Sequence, residues 1–187
     1  MSHPEARITT TKNKSLLSTP NPFEQKFGYH RAIRRGPFIV VSGTTALRLT
    51  TPITTPDNAN DESTGDESKV EHPGDAYSQA LLAMNRCVDA VTKLGGRRED
   101  VVRVRMFVAR GEDCEGVGRA FRGVLGGGGG RDTGSGGEGG DGGEVRGGHS
   151  EGREDLVGAA ATMIVVGNDG FVDADMLVEV EVDAYVV

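Results

Sequence analysis

The chain has 187 residues, and its 28 acidic side chains outnumber 21 lysines and arginines, which gives a formal net charge of −7. This acidic balance disfavours a dedicated nucleic-acid binder, which normally carries a basic face. No stretch approaches the roughly 18–20 apolar residues of a membrane span. Two cysteines are too few for a disulfide scaffold, and the four histidines show no metal-ligand spacing. We therefore expect a cytoplasmic protein without metal or cofactor, with a mitochondrial location as the alternative.

Two segments of unusual composition divide the chain. Of the 29 glycines, 15 lie within residues 126–152, and such a composition buries too little apolar area to offset the entropy of ordering. Residues 46–74 form a polar insertion rich in Ser, Thr, Asp and Pro. The sequence predicts a flexible N-terminal segment over residues 1–24 and a single domain over 25–187. That domain carries the insertion near 46–74 and a disordered loop near 126–152.

The first predicted element is a hairpin over residues 28–43. Gly36-Pro37 indicates the turn of this hairpin. The apolar run from Phe38 to Val41 predicts a central strand covered on both faces. A helix follows over residues 76–94, with Asp75 as its N-cap. Its predicted apolar stripe consists of Tyr77, Leu81, Met84, Val88 and Val91. Cys87 lies beside this stripe, and we expect it to be a small buried side chain.

The second half of the domain alternates in the same way. Residues 101–109 predict a strand with Val102, Val104, Met106 and Val108 on one face and Val101, Arg103, Arg105 and Phe107 on the other. Asp113 is expected to cap a second helix, whose buried face would consist of Val117, Ala120, Phe121, Val124 and Leu125. Residues 159–166 and 176–187 predict the last two strands.

The resulting order β-β-α-β-α-β-β predicts an α+β sandwich with two helices on one face of one mixed sheet. Helices can cover only the valine face of the last strand, which leaves Glu179, Glu181 and Asp183 on the far face, with Arg103 and Arg105 expected beside them. If neighbouring copies cover this face, it becomes an interface with a pocket; if nothing covers it, it is a solvated sheet face. A metal site on the three acids is disfavoured, because same-face neighbours on a strand lie about 6.5–7 Å apart.

Seven segments in register resemble the RidA/YjgF family. They include Val41-Ser42-Gly43-Thr44-Thr45 and Met176-Leu177-Val178-Glu179-Val180-Glu181, with the others at 28–29, 74–80, 100–108, 117–121 and 159–163. The resemblance implies a chorismate-mutase-like fold assembled as a homotrimer, with small-molecule clefts between subunits. It also implies hydrolysis of reactive enamines and imines, such as 2-aminoacrylate, to 2-oxo acids and ammonia.

The resemblance assigns roles to several residues. Glu179 would position the attacking water, and Tyr29 and Ser42 would line the cleft. The arginine that binds the substrate carboxylate in deaminating members falls on Ala161, and their thiol-bearing position falls on Met163, with Thr162 between them. Alanine cannot replace a guanidinium that binds a carboxylate through two hydrogen bonds, so 2-aminoacrylate deaminase activity is doubtful unless Arg103 or Arg105 supplies the cation.

Three functions from different classes remain open. The first is hydrolysis of a small imine, enamine or related carbonyl compound in the cleft, and the second is a small-ligand-binding trimer without catalysis. The third is a ribonuclease, after the family's older label L-PSP endoribonuclease. The net charge of −7 and the absence of tryptophan disfavour the third, since single-stranded nucleic acids are bound on basic grooves with stacking aromatic residues.

Overall fold

Seven strands form one sheet in the computed structural model, which describes residues 6–48, 69–126 and 158–187. The strands are β1 (Arg7–Thr11), β2 (Lys14–Ser18), β3 (Ala32–Arg35), β4 (Phe38–Thr44), β5 (Val101–Val108), β6 (Ala160–Val165) and β7 (Val178–Tyr185). Their order is β1-β2-β3-β4-β7-β5-β6, and β5 and β6 form the parallel pair in an otherwise antiparallel sheet. The predicted mixed sheet is confirmed.

The described helices are α1 (Pro22–Phe27), α2 (Ala76–Lys93) and α3 (Cys114–Val124). The two longer ones pack together on one face of the sheet, as predicted. Asp75 caps α2 by accepting a hydrogen bond from the backbone N–H of Ser78. Asp113 precedes α3 but does not cap it with its side chain, because its carboxylate pairs with Arg110 at 2.7 Å instead.

The core lies between the helices and the apolar face of β7, where Val178, Val180, Val182 and Ala184 are buried as predicted. The buried side of α2 differs from the predicted stripe, since Tyr77 is exposed and small residues take the centre. Small side chains let a helix approach the valine surface of a sheet closely. Cys87 lies in this core as predicted, and burial raises the pKa of its thiol to about 11.

Residues 7–18 form the hairpin of β1 and β2, inside the segment for which flexibility was expected. The physical reason lies in β2, which pairs with β3 and places Leu17 opposite Ala32. Leu17 is buried in the main core, so one apolar side chain and the ladder hydrogen bonds hold this polar strand on the sheet.

The two composition-biased segments are described only at their ends. Leu47 and Val70 pair in an isolated bridge, and both are buried with Ala46 and Met176 in a small second cluster. The base of the predicted insertion is therefore anchored to the domain. Residues 49–68 and 127–157 lie outside the described residues, and with them the prediction of a disordered glycine-rich loop.

Two strand predictions need correction. β4 is central, but it alternates, with Ile39 and Val41 buried and Phe38 and Val40 exposed by 59% and 50%. A single chain therefore covers one face of this strand and leaves apolar groups on the other. In β5, the register shifts between Val101 and Arg103 against β7. This β-bulge turns Val101 inward and Val102 outward, the reverse of strict alternation.

Gln79 provides a test of how α2 is tied to β7. Its side chain is fully buried, donates to the carbonyls of His72 (3.1 Å) and Asp175 (2.8 Å), and accepts from the N–H of Leu177 (2.9 Å). We expect Gln79→Leu to lower the free energy of unfolding by about 2–4 kcal/mol in urea denaturation, because buried backbone groups lose their partners. Asn85→Leu, at an exposed position of the same helix, is the control and should change it by less than about 0.5 kcal/mol.

Candidate functional site

The face of the sheet opposite the helices carries a charged strip. In the pairing of β5 with β7, Arg105 lies opposite Glu181, and Phe107 lies opposite Glu179. Arg103 lies opposite Asp183 on the same face. The strand register therefore gives these side chains the orientation predicted from the sequence.

A β-bulge in β4 shapes the surface next to this charged strip. Val41 pairs with Val182 and Thr44 with Val180, so β4 has one extra residue over this stretch. Gly43 lies in the bulge, and a Cβ atom built on it would overlap Oε1 of Glu179. The Glu179 carboxylate thus occupies the space that any other residue at position 43 would fill.

A buried arginine holds the bulge in place. Arg31 is 6% exposed and donates from Nη1 to the carbonyl of Gly43 and to Oγ1 of Thr44, both at 2.8 Å. Its Nε donates to Oε1 of Glu24 at 3.1 Å, and Glu24 also accepts from the N–H and hydroxyl of Thr19. The sequence reasoning missed this pair, because both residues sit in polar stretches without periodicity to mark burial.

These elements enclose an open cleft of about 470 Å³. It is lined by Tyr29, Val40, Val41, Ser42, Gly43, Arg105, Glu179 and Glu181. Four of the predicted site residues, Tyr29, Ser42, Arg105 and Glu179, therefore meet in one place. The Ser42 hydroxyl donates to the carbonyl of His30 at 2.8 Å, which leaves its oxygen as an acceptor facing the cleft. Burial raises the pKa of Tyr29, against the opposing effect of Arg31, so its phenol is a hydrogen-bond donor at neutral pH.

Glu179 is the unpaired acid of the cleft. Within the described ranges it makes no hydrogen bond or ion pair. Burial raises the pKa of its carboxyl, the negative charge of Glu181 raises it further, and Arg31 lowers it. A carboxyl with a raised pKa can exchange a proton closer to neutral pH than an exposed glutamate can.

Arg105, by contrast, forms ion pairs with two acids. Its Nη1 donates to Glu181 at 3.1 Å and its Nη2 to Asp183 at 3.0 Å. One guanidinium therefore lies between two carboxylates, and the charge around it is net negative.

The remaining predicted site residues lie apart from the cleft. Arg103 is exposed and is not part of the lining. Ala161 and Met163 pair in parallel with Val104 and Met106, so their side chains share the helix-facing side of the sheet. Thr162 pairs with Arg105 and, with Ala160 and Ile164, faces the same side as the charged strip.

Arg31 also borders a second cavity, of about 320 Å³, on the side of α2. Arg86 reaches this cavity and donates to the carbonyls of Thr45 and Leu47, both at 2.9 Å, and to Glu71. In the part of the chain that the structure describes, no group of three or more His, Cys, Asp or Glu side chains is arranged to hold a metal ion. None of the described helices is long and apolar enough to cross a membrane.

Comparison with known proteins begins with sequence. No family model matches the chain. An uncharacterised protein of Streptomyces coelicolor, SCO2049, is 29% identical over 176 residues, which cover 94% of this chain and 95% of that protein. The similarity spans nearly the whole of both proteins.

Solved structures resemble the fold. Rv2704 from Mycobacterium tuberculosis, described as a member of the YjgF/YER057c/UK114 family, superposes with a TM-score of 0.55 at 22% identity, covering 92% of this chain and 99% of that one. The YjgF gene product of E. coli gives 0.52 at 16% identity, with 84% and 87% covered. A yeast structure, YEO7, gives 0.51 at 13% identity, with 85% and 87% covered. The fold predicted from the sequence resemblance is confirmed: this chain has the fold of the YjgF/YER057c/UK114 structures.

Proposed function

We propose that the protein is a RidA-like homotrimer that hydrolyses small reactive imines or enamines in clefts between its subunits. The observation that carries the proposal is the unpaired Glu179 carboxyl, whose pKa is raised, in a polar cleft with Tyr29 and Ser42. The fold supports it, although fold alone does not establish an activity. We place the protein in the cytoplasm.

The chemistry needs one proton carrier and two orienting groups. The oxygen of a water adds to the carbon of the C=N bond while Glu179 accepts a proton from that water. Glu179 then returns the proton to nitrogen, which gives a carbinolamine. As the C–N bond breaks, the second water proton passes from the carbinolamine hydroxyl to nitrogen, and a carbonyl compound and ammonia leave. The phenol of Tyr29 and the oxygen of Ser42 are placed to hydrogen-bond the substrate.

The principal alternative is a trimer that binds a small ligand without catalysis. The resemblance places the arginine of deaminating relatives at Ala161, which carries no cation and whose side chain lies on the helix-facing side of the sheet, so position 161 supplies no receptor for the carboxylate of 2-aminoacrylate. A ribonuclease is opposed by the cleft itself, because Glu179 and Glu181 would repel a phosphate backbone.

Assembly is supported by apolar groups on the charged face. Phe38 and Tyr185 pack edge to face with ring centroids 5.1 Å apart, yet both are exposed, as is Val40 opposite Asp183. Contiguous apolar groups rimmed by charges are typical of protein interfaces. A neighbouring copy on this face would close the open side of the cleft.

Light scattering coupled to gel filtration tests the assembly. We expect the wild-type protein to be a trimer and Val40→Lys to be a monomer or a much weaker assembly, because an unpaired ammonium would be buried at the interface. Val172→Lys introduces the same charge at a 75% exposed position of the loop before β7 and should leave the trimer intact. A wild-type monomer at micromolar concentration contradicts the proposal.

Ammonia release from freshly generated imines tests the catalysis. We expect the wild-type protein to accelerate it and Glu179→Gln to reduce the rate by about 10²–10⁴-fold, the usual contribution of a general base. The rate should rise with pH through the raised pKa of Glu179 and then level off, because the ionised carboxylate is the base.

The same substitution controls for misfolding. Folding disfavours the ionised form of a carboxyl whose pKa is raised, so stability falls as pH rises through that pKa. Glu179→Gln removes this loss and should be at least as stable as wild type at pH 8. If wild type and Glu179→Gln release ammonia equally, hydrolysis at this site is ruled out and the binding alternative stands.

Gly43→Ala tests the placement of the carboxylate without changing its chemistry. The added Cβ would meet the flexible end of Glu179, so we expect the side chain to move and the fold to stay, with stability within about 1 kcal/mol of wild type. Activity should fall at least tenfold, since misplacement by about 1 Å can cost 10²-fold. Gly111→Ala, where the new Cβ meets nothing within 4 Å, is the matched control. Full activity of Gly43→Ala would show that this contact does not position Glu179.

A further inference from the structure

We propose that the cleft selects neutral or cationic imines that carry no carboxylate, an inference that rests on the proposed function and names its substrate class. The charged lining consists of Arg105, Glu179 and Glu181. With Glu179 ionised, two negative charges face one positive charge. This net negative charge would repel a substrate carboxylate and attract an iminium cation.

Arg105 does not serve as the missing carboxylate receptor. Its guanidinium already donates to Glu181 from Nη1 and to Asp183 from Nη2. Both bonds lie on the sheet face that a ligand would approach, and the two carboxylates more than neutralise the guanidinium. A third carboxylate would have to displace one of them or accept like-charge repulsion at contact distance.

Arg103 makes no ion pair within the described ranges, but it is in the wrong place. It precedes Phe107, the partner of Glu179, by four residues on β5. At about 3.3 Å per residue this is roughly 13 Å along the strand. A small imine whose C=N bond lies beside Glu179 would not reach it.

Arg31 is close enough to influence Glu179 but is committed elsewhere. It is buried, and its hydrogen bonds go to Glu24, to the Gly43 carbonyl and to Thr44. On β6, the residues that share the face of Arg105 are Ala160, Thr162 and Ile164, and none of them carries a charge. None of the described cations near Glu179 is therefore available to a substrate carboxylate.

The cleft has a second property that favours a cation. The charged and titratable groups that face Glu179 are Tyr29 and Arg31 from the β3 side and Arg105 and Glu181 from the sheet. A bound cation would stabilise the ionised form of Glu179, so its binding would release a proton and strengthen as pH rises. A bound anion would favour the protonated form, so its affinity would fall over the same range.

The preferred reaction is R–CH=NH₂⁺ + H₂O → R–CHO + NH₄⁺. Water oxygen bonds to the imine carbon, the C–N bond breaks, and both water protons end on nitrogen. No oxidant or reductant is needed. The product is an aldehyde or ketone in place of a 2-oxo acid.

Two probes that share one isopentyl group test the charge preference by equilibrium binding to the full-length protein. 3-Methylbutylammonium carries a cation, and 4-methylpentanoate carries a carboxylate at the same position. We expect the ammonium to bind at least tenfold more tightly at pH 8 and to gain affinity between pH 5 and pH 8. Glu181→Gln removes one negative charge and frees Nη1 of Arg105, so it should shift the preference toward the carboxylate by about tenfold. Glu115→Gln, the same change at an exposed position of α3, should shift nothing.

Turnover is measured on the matching imines. An amine oxidase converts 3-methylbutylamine to the imine without a carboxylate, and an amino-acid oxidase converts leucine to the imine with one. Faster ammonia release from the first supports the inference. Equal or tighter binding of 4-methylpentanoate, equal or faster turnover of the leucine imine, or no binding of either probe overturns it. Preference for the ammonium probe without acceleration of either imine upholds the charge selectivity and removes the hydrolytic function.

Discussion

The site depends on one buried ion pair, between Arg31 and Glu24. A buried pair is a poor source of stability, because desolvation of both ions offsets much of their attraction. This ion pair also holds the backbone of β4, because the Arg31 guanidinium donates hydrogen bonds to the Gly43 carbonyl and to the Thr44 hydroxyl. It therefore fixes the bulge of β4, and the bulge presents a glycine where Glu179 needs room. The position of the unpaired carboxylate therefore follows from the charge of Arg31, which immediately precedes β3.

The two faces of the sheet have divided roles. On the helix face, valines of β7 and small residues of α2 fill the centre of the core, and the cavity beside Arg86 lies at its margin. On the other face, ion pairs occupy the middle and exposed aromatic and aliphatic groups occupy the flank of β4 and β7. A surface with paired charges beside apolar groups suits a neighbouring copy. The cleft lies at the edge between these two regions, where assembly would enclose it.

Periodicity was enough to predict β7, the orientation of Glu179 and the capping of α2, because each rests on a local pattern of period 2 or on one capping side chain. It failed where tertiary contact overrides pattern. The bulge at Val102 reverses an alternating strand, and Leu17 holds a polar segment on the sheet by a single buried side chain. Arg31 could not have been found this way, since its partners come from two separate segments of the chain, at Glu24 and at Gly43-Thr44. Tyr29, Ser42 and Arg105 meet Glu179 only because β4 and β5 both flank β7.

Under the proposed charge preference, the backbone fixes the position of the acid and individual side chains set the counter-charge. Here the carboxylate of Glu179 is positioned by Gly43, a backbone feature, whereas the cation that would face a substrate carboxylate is neutralised by Glu181 and Asp183. Under the proposed preference, the ion pairs between Arg105 on β5 and two acids on β7 set the charge of the preferred ligand without disturbing the fold. On this proposal the charge pairing of Arg105 decides between a cationic and an anionic ligand, because the side chain of Ala161 lies on the helix-facing side of the sheet and not in the cleft.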